Sequence, residues 1–253
     1  IGEDSIVFID DNPLEREIVL NNTNVIVPNF PNNIVDLISF FTEIDKEFFS
    51  IQNLTNEDLR KNEQYKENKN RDDFKSQFEN HTDYISALGI TLEISKNDIS
   101  QVERIAQMTQ KTNQFNLSTK RYSNEDIKKF INSKDFIVFT GEVKDKFGDF
   151  GIVILAIVEI KSSILILDTF LMSCRVMGRF VEELFLYEIF NYFNKDMLIE
   201  AEFIKTKKNI PIEGFLDKLG FHCTIIEENK KVYENSMNFN INENLNMEIK
   251  WIN

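Results

Sequence analysis

The chain has 253 residues, of which 42% are hydrophobic, and a formal net charge of −13. This size and composition predict a globular protein of one or two domains that can bury a sizeable core. The acidic balance argues against sequence-independent binding of nucleic acid, which requires a basic surface to neutralise phosphates.

Two cysteines, Cys174 and Cys223, are too few for a disulfide framework, so we expect a cytoplasmic protein. No apolar run reaches the length of a membrane-spanning helix, and the first residues do not form a signal segment. Neither nucleic acid nor a membrane is therefore an expected partner.

Strands and helices alternate in residues 1–48. The run SIVFI predicts a strand, PLEREIVLN a helix, and NVIVPNF a second strand, which together indicate a βαβ unit with a parallel sheet. Two strands do not form a stable sheet by themselves. We therefore expect this segment to be the C-terminal part of a larger α/β domain.

The composition changes in residues 49–82, where charged residues replace aliphatic ones and predict a helical linker with a solvated face. Residues 83–253 predict a complete second domain with a mixed sheet. It begins with a helix that leads into a strand within residues 84–96. Further helices are expected at 100–113, 123–133, 180–195 and 211–221, and further strands within 135–173 as an antiparallel meander and at 198–204, 223–228 and 246–253.

Asp10 and Asp11 follow the first predicted strand directly. Carboxylates at the carboxyl edge of a parallel sheet lie where such sheets bind ligands, and they are ligands that Mg²⁺ prefers. Alternatively, Asp11 or Asn12 caps the helix that begins at Pro13. The spacing favours neither alternative over the other.

The stretch FIDDNPLEREIV, residues 8–19, resembles the last acidic motif of haloacid dehalogenase-like (HAD-like, Rossmannoid) phosphatases in the form found in FkbH-like proteins. The resemblance implies that Asp10 and Asp11 help to hold a catalytic Mg²⁺. It also implies that the nucleophilic aspartates lie upstream of this chain, so its phosphatase centre is expected to be incomplete.

The stretch MTQKTNQFNLSTKRYSNEDI, residues 108–127, resembles a second FkbH-like signature. A polar loop after a helix is predicted here, and a substrate-facing role is the hypothesis for Thr112, Asn113, Gln114 and Asn116. The alternative is that these side chains bond only to the local backbone and end the helix.

The stretch SCRVMGR, residues 173–179, joins a buried strand to a helix. Such a connection directs backbone N–H groups and the helix dipole at an anion, and Arg175 and Arg179 add positive charge. It resembles the pyrophosphate loop of GNAT acyltransferases, with Gly178 in place. Phe180 departs from the motif, which has a small residue there, so a single phosphate of phosphopantetheine fits better than a pyrophosphate.

Cys174 is the candidate nucleophile of this loop, because neighbouring arginines and a helix N-terminus favour a thiolate and lower its pKa. The alternative is a cysteine that only fills space.

Asn209 precedes a stretch similar to another GNAT segment, in which Leu216 replaces a tyrosine general acid. His81 and His222 are isolated and indicate neither a zinc site nor a triad.

The resemblance as a whole is to FkbH-like proteins of the glyceryl-carrier-protein synthase type: a HAD-like remnant (1–48), a linker (49–82) and a GNAT-like acyltransferase domain (83–253). It implies transfer of a glyceryl group from a small phosphorylated donor such as 1,3-bisphosphoglycerate to an acyl carrier protein. In this scheme Cys174 accepts the group, while Arg175, Gly178, Arg179, Asn209 and the polar loop bind substrate. The rival hypotheses are an N- or O-acyltransferase that uses acyl-CoA, and a non-catalytic carrier-protein docking module.

Overall fold

A computed structural model describes residues 6–49, 61–193, 195–241 and 246–252 of the chain. The chain divides into two compact units, residues 1–63 and 64–253. In the part described, no helix is long and apolar enough to cross a lipid bilayer.

The smaller unit contains helices α1 (Pro13–Asn22) and α2 (Leu37–Ile44), followed by a π-helical turn (Asp45–Phe49). The two predicted strands are parallel, as expected, but they meet at a single bridge between Val7 and Ile26. Of the described side chains in this unit, only that of Ile44 is buried. Its assignment to a HAD-like domain stays a prediction.

The larger unit is a mixed α/β structure with helices on both faces of one sheet. Its helices are α3 (Lys61–Lys75, which begins just before the unit boundary), α4 (His81–Ala87), α5 (Val102–Lys111), α6 (Asn124–Asn132), α7 (Val181–Asn191) and α8 (Phe215–Lys218). Its strands are β1 (Thr91–Lys96), β2 (Phe115–Asn116), β3 (Phe136–Asp145), β4 (Gly148–Lys161), β5 (Ile164–Met172), β6 (Leu198–Ile204), β7 (His222–Ile226), β8 (Lys230–Asn235) and β9 (Glu248–Ile252).

The strand order is β7-β8-β6-β5-β4-β3-β1-β9, and β2 pairs with β5 in addition. The β5–β6 and β1–β9 pairs are parallel, and the other pairs are antiparallel. The predicted mixed sheet and its central meander are therefore confirmed. The sequence does not predict β8, because KKVYEN offers only two apolar residues; the strand pairs with β7 on one side and β6 on the other.

Two apolar layers hold the helices on the sheet. On one face, Ile105 of α5 and Ile127 of α6 pack with Leu155 and Leu171. On the other face, α4, α7 and α8 pack over the larger core, in which Phe185 is fully buried. The two central strands of the sheet, β4 and β5, are therefore covered on both faces, which explains their nearly continuous apolar sequences.

Residues 67–82 differ from the predicted solvated linker. Arg71 is only 2% exposed, and its guanidinium donates to both carboxylate oxygens of Asp145, at 2.7 and 2.8 Å. Phe74 and Phe78 pack against the core of the larger unit. The many charges on the other faces of α3 hide this short contact stripe in the sequence. Residues 50–60 of the predicted linker lie outside the described residues.

Gly141 of β3 provides a test of this packing. A Cβ atom at this position would lie 2.3 Å from Cγ2 of Ile154 and 3.0 Å from a methyl group of Leu92. We expect Gly141→Ala to lower the free energy of unfolding by about 1–3 kcal/mol, as overpacking does in other cores. Urea denaturation measures the change, with Gly214→Ala as the control because a Cβ there meets nothing within 4 Å. Equal stabilities of the two variants would contradict the packing described.

Candidate functional site

A short segment of the chain separates the carboxyl-terminal halves of β5 and β6. These strands pair over Ile164–Leu167 and Leu198–Ala201 and then diverge. Residues 115–117 lie between them: β2 pairs with the end of β5, the N–H of Leu117 donates to Phe170 (3.0 Å), and the N–H of Ile204 donates to Leu117 (2.8 Å). Both facing strand edges are therefore satisfied by the chain itself.

The predicted anion loop leaves the sheet directly after β5, where the N–H of Ser173 still donates to Val153 at 2.8 Å. Cys174 is exposed and begins a single 3₁₀ turn. Gly178 has φ +75°, and Phe180, the residue before α7, has φ +61°. A left-handed conformation favours glycine, so the departure from the motif at Phe180 places a bulky side chain in a conformation that costs about 1 kcal/mol or more.

The loop forms one wall of an open cleft of about 320 Å³, whose other wall consists of α3 and α4. It is lined by four basic side chains and one acidic side chain: Arg71, Lys75, Arg175, Arg179 and Asp72. Arg179 lies largely out of water, and this burial lowers its pKa. Its guanidinium donates to the carbonyl of Arg175 and lies 5.0 Å above the ring of Phe150. The cleft is therefore suited to an anion.

The sequence indicates none of the cleft residues that α3 and α4 supply, among which are Lys75, His81 and Tyr84. The ring nitrogen Nε2 of His81 lies 2.7 Å from the carbonyl oxygen of Gly178, and its ring packs against Phe180. All three belong to the charged segment that was read as a linker or to its junction with α4. Only the helical spacing of Phe74, Phe78 and the α4 residues could have indicated that this segment docks on the loop.

Glu182, in the first turn of α7, also belongs to the site. Its carboxylate lies close to the backbone N–H groups of Gly178 and of Glu182 itself, the side chain is buried, and one carboxylate oxygen has no hydrogen-bond partner among the described residues. Burial raises the pKa of Glu182 to about 7, and the charge of Glu183 acts in the same direction. The residue therefore places a carboxylate where the loop was expected to bind an external anion.

The two buried asparagines predicted to bind substrate have structural contacts. Asn209 uses both amide hydrogens for the carbonyls of Asn116 and Ile204, each at 2.9 Å, and its oxygen accepts from Thr206. Asn116 bonds to the backbone of Thr112 and Thr119. Both side chains are fully buried, and a substrate contact stays a prediction for each.

The other residues of the polar loop agree in part with the alternative in which the loop bonds locally and ends the helix. The N–H of Thr112 ends helix α5 by donating to Met108, and Asn113 accepts a hydrogen bond from Arg121. Gln114 is exposed. A substrate contact stays a prediction for Thr112, Asn113 and Gln114, none of which lines the cationic cleft.

A second polar cluster surrounds Asp168, which is unpaired where the register of β4 and β5 shifts. Its carboxylate accepts hydrogen bonds from Lys120 (2.6 Å), Tyr122 (2.7 Å) and Thr169 (2.9 Å). Burial and the bond to Asp168 raise the pKa of Tyr122 far above its usual range, which excludes this phenol as a base at neutral pH. The cluster fixes the stretch after residue 117 to β5.

Asp10 and Asp11 act in the local structure of the smaller unit. Asn12 caps α1 by accepting from the N–H of Leu14 at 3.0 Å, so the capping alternative is confirmed for Asn12. Asp10 accepts from the N–H of Asn12 at 2.8 Å. No group of three acidic, histidine or cysteine side chains suited to a metal occurs among the described residues. The two carboxylates therefore do not form a Mg²⁺ site by themselves.

No model of a known family matches the sequence, and no curated protein matches it. Solved structures with a similar course of the chain include the ribosomal-protein-S18-alanine N-acetyltransferase from Escherichia coli, with 10% identity, a TM-score of 0.44, and coverage of 57% of this chain and 92% of that one. Another is PaiA N-acetyltransferase from Thermoplasma acidophilum in complex with coenzyme A, with 18% identity, a TM-score of 0.39, and coverage of 57% and 98%. At these identities no residue role passes from those proteins to this chain.

The structural role of Asn209 predicts a loss of stability on substitution. Asn209→Ala would leave the N–H of Thr206 and two backbone carbonyls unpaired in a buried place, and we expect it to cost about 2–3 kcal/mol of unfolding free energy. Chemical denaturation measures this, with the exposed Gln114→Ala as the control, expected within about 0.5 kcal/mol of wild type. Unchanged stability of Asn209→Ala would contradict the structural role.

Glu182 predicts a pH-dependent loss of stability. A buried carboxyl whose pKa rises from 4.5 to about 7 stabilises the fold most when both states are protonated, and this contribution falls as the pH rises from about 4.5 to about 7. Relative to Glu182→Gln, wild type should therefore lose about 3 kcal/mol between pH 4.5 and pH 8. Denaturation at several pH values measures the difference, and the exposed Glu125→Gln should keep the wild-type profile. A constant difference would contradict the burial of the charge.

Proposed function

We propose that the larger unit is an acyltransferase in which the loop at residues 173–180 binds an anionic acyl donor and Cys174 accepts the acyl group. One observation carries this proposal: an exposed thiol lies at the carboxyl end of β5, directly before a loop that lines a cationic cleft. The FkbH-like signatures agree with the same assignment. They imply a phosphorylated three-carbon donor and an acyl carrier protein as acceptor.

The proposed first step is attack of the Cys174 thiolate on the carbonyl carbon of an acyl phosphate. A carbon–sulfur bond forms, the carbon–oxygen bond to phosphate breaks, and phosphate leaves with the electron pair while the thiol proton goes to solvent. Guanidinium groups beside the donor stabilise the departing phosphate, because charge-assisted hydrogen bonds to phosphate are strong. Arg175 and Arg179 are the groups of the loop that can supply them.

In the second step the phosphopantetheine thiol of the carrier attacks the thioester on Cys174 and releases the cysteine thiol. This exchange needs an accessible sulfur, and the exposure of Cys174 supplies one. No Mg²⁺-dependent step is assigned to this chain, because Asp10 and Asp11 do not form a complete ligand set in the described residues.

Mass spectrometry of the intact protein tests the covalent step. After incubation with 1,3-bisphosphoglycerate, wild type should gain one glyceryl group, and carrier protein should then remove it. Cys174→Ala should gain none, whereas Cys223→Ala should behave as wild type, because Cys223 lies on β7, far along the sheet order from β5. An unmodified wild type, or a modified Cys174→Ala, would contradict the proposal.

Two further assays on the Cys174 variants separate the rival functions. Transfer from acyl-CoA to an amine or hydroxyl, unchanged in Cys174→Ala, would identify an acyl-CoA-dependent acyltransferase that uses the loop for the coenzyme. Carrier-protein binding without turnover, retained in the Cys174→Ala and Arg175→Ala double variant, would identify a docking module.

A further inference from the structure

The loop after β5 offers two different places for an anion. One is the cradle of backbone N–H groups at the start of α7, the usual place in a strand–loop–helix connection. The other is the cleft between the loop and helices α3 and α4, which is lined by side chains. The contacts of Glu182, Arg179, Tyr84 and Lys75 distinguish the two.

The backbone cradle is already occupied. The carboxylate of Glu182 lies close to the N–H groups of Gly178 and Glu182, and the residue is 9% exposed. An external phosphate would have to displace a carboxylate that is attached to the same helix. A covalently attached anion has a high effective concentration at this place, so it competes strongly.

The cleft has positive charge that the protein does not neutralise. The carboxylate of Asp145 is engaged by Arg71, and Arg179 has no ion pair with any described residue. Lys75, at the end of α3, likewise forms no ion pair within the described chain. The charges of Asp145 and Glu182 act on the Arg179 guanidinium, but neither carboxylate forms an ion pair with it. An anionic ligand that pairs directly with this largely buried guanidinium would stabilise its charge further.

Tyr84 contributes a hydroxyl to the same cleft. The residue is 6% exposed, yet its hydroxyl makes no hydrogen bond to any described residue. The charge that acts on it most strongly is that of Arg179. A buried ring whose hydroxyl lines a cavity beside cations is a suitable donor to a phosphoryl oxygen.

We propose that the phosphoryl group of the donor binds in this cleft, held by the side chains of Lys75, Tyr84 and Arg179, and not in the backbone cradle that Glu182 occupies. The ligand class is a phosphate monoester, an acyl phosphate or a diphosphate. The inference rests on the proposed function, because it takes the loop as the donor site. Phosphate binding is nevertheless measurable without any acyl transfer.

Titration calorimetry of the full chain with inorganic pyrophosphate at fixed ionic strength tests this. Lys75→Ala and Tyr84→Phe should each weaken binding by at least about fivefold, the loss of one hydrogen bond to a charged group. Lys69→Ala removes an exposed charge from the same helix outside the cleft and should stay within about twofold of wild type. Tyr84→Phe keeps the buried ring, so it should fold as wild type does.

Glu182→Gln decides between the two places. Binding in the cleft predicts an affinity within about twofold of wild type, whereas binding in the cradle predicts that removal of the competing charge tightens it about tenfold. Tighter binding by Glu182→Gln together with an unchanged Lys75→Ala would overturn the inference, and so would the absence of any pyrophosphate binding. If pyrophosphate binds as expected while Cys174 gains no acyl group, only the proposed function fails.

Discussion

The architecture of the site depends on the segment 115–117, which lies between two strands that would otherwise continue as parallel neighbours. Leu117 bonds to β5 through its N–H and to β6 through its carbonyl, and Asn209, which follows β6 in the chain, donates to the adjacent carbonyl of Asn116. Opening a sheet in this way would leave two rows of backbone groups without partners, at a cost of about 1–3 kcal/mol for each buried group. The inserted segment satisfies these groups, so β5 can end apart from β6 and continue into the loop that carries Cys174.

The loop has side chains of opposite charge on its two sides. Toward α7, the carboxylate of Glu182 lies beside the backbone N–H groups of the turn. Toward α3 and α4, arginines and a lysine line the cleft, and Arg71 is neutralised by Asp145. The protein thus supplies its own anion to the helix terminus and leaves side-chain cations for a ligand. A strongly acidic chain can bind an anionic substrate in this way, because the local arrangement of charge, and not the net charge, determines the field in a cleft.

Features governed by local periodicity could be predicted from the sequence, whereas features governed by distant contacts could not. The meander β3–β5, helices α5–α7 and the loop before α7 follow from apolar spacing and from Gly178. The roles of Asn116 and Asn209 could not be predicted, because an amide that bonds to distant backbone has the same sequence pattern as one that faces a substrate. Lys75 and Tyr84 could not be identified as site residues, because the charged residues of α3 and of the segment before α4 dominate the local composition.

The parallel pairing of β1 and β9 affects how the larger unit folds during synthesis. Strand β1 is the first strand of its sheet in the chain, and its partner on one side begins only at Glu248. During synthesis from the amino terminus, more than half of the chain must therefore be made after β1 before β9 can pair with this edge. Such long-range pairing slows folding, and an uncovered edge invites association with other chains. The nascent unit is consequently most exposed to misassembly while the loop that carries Cys174 is already complete.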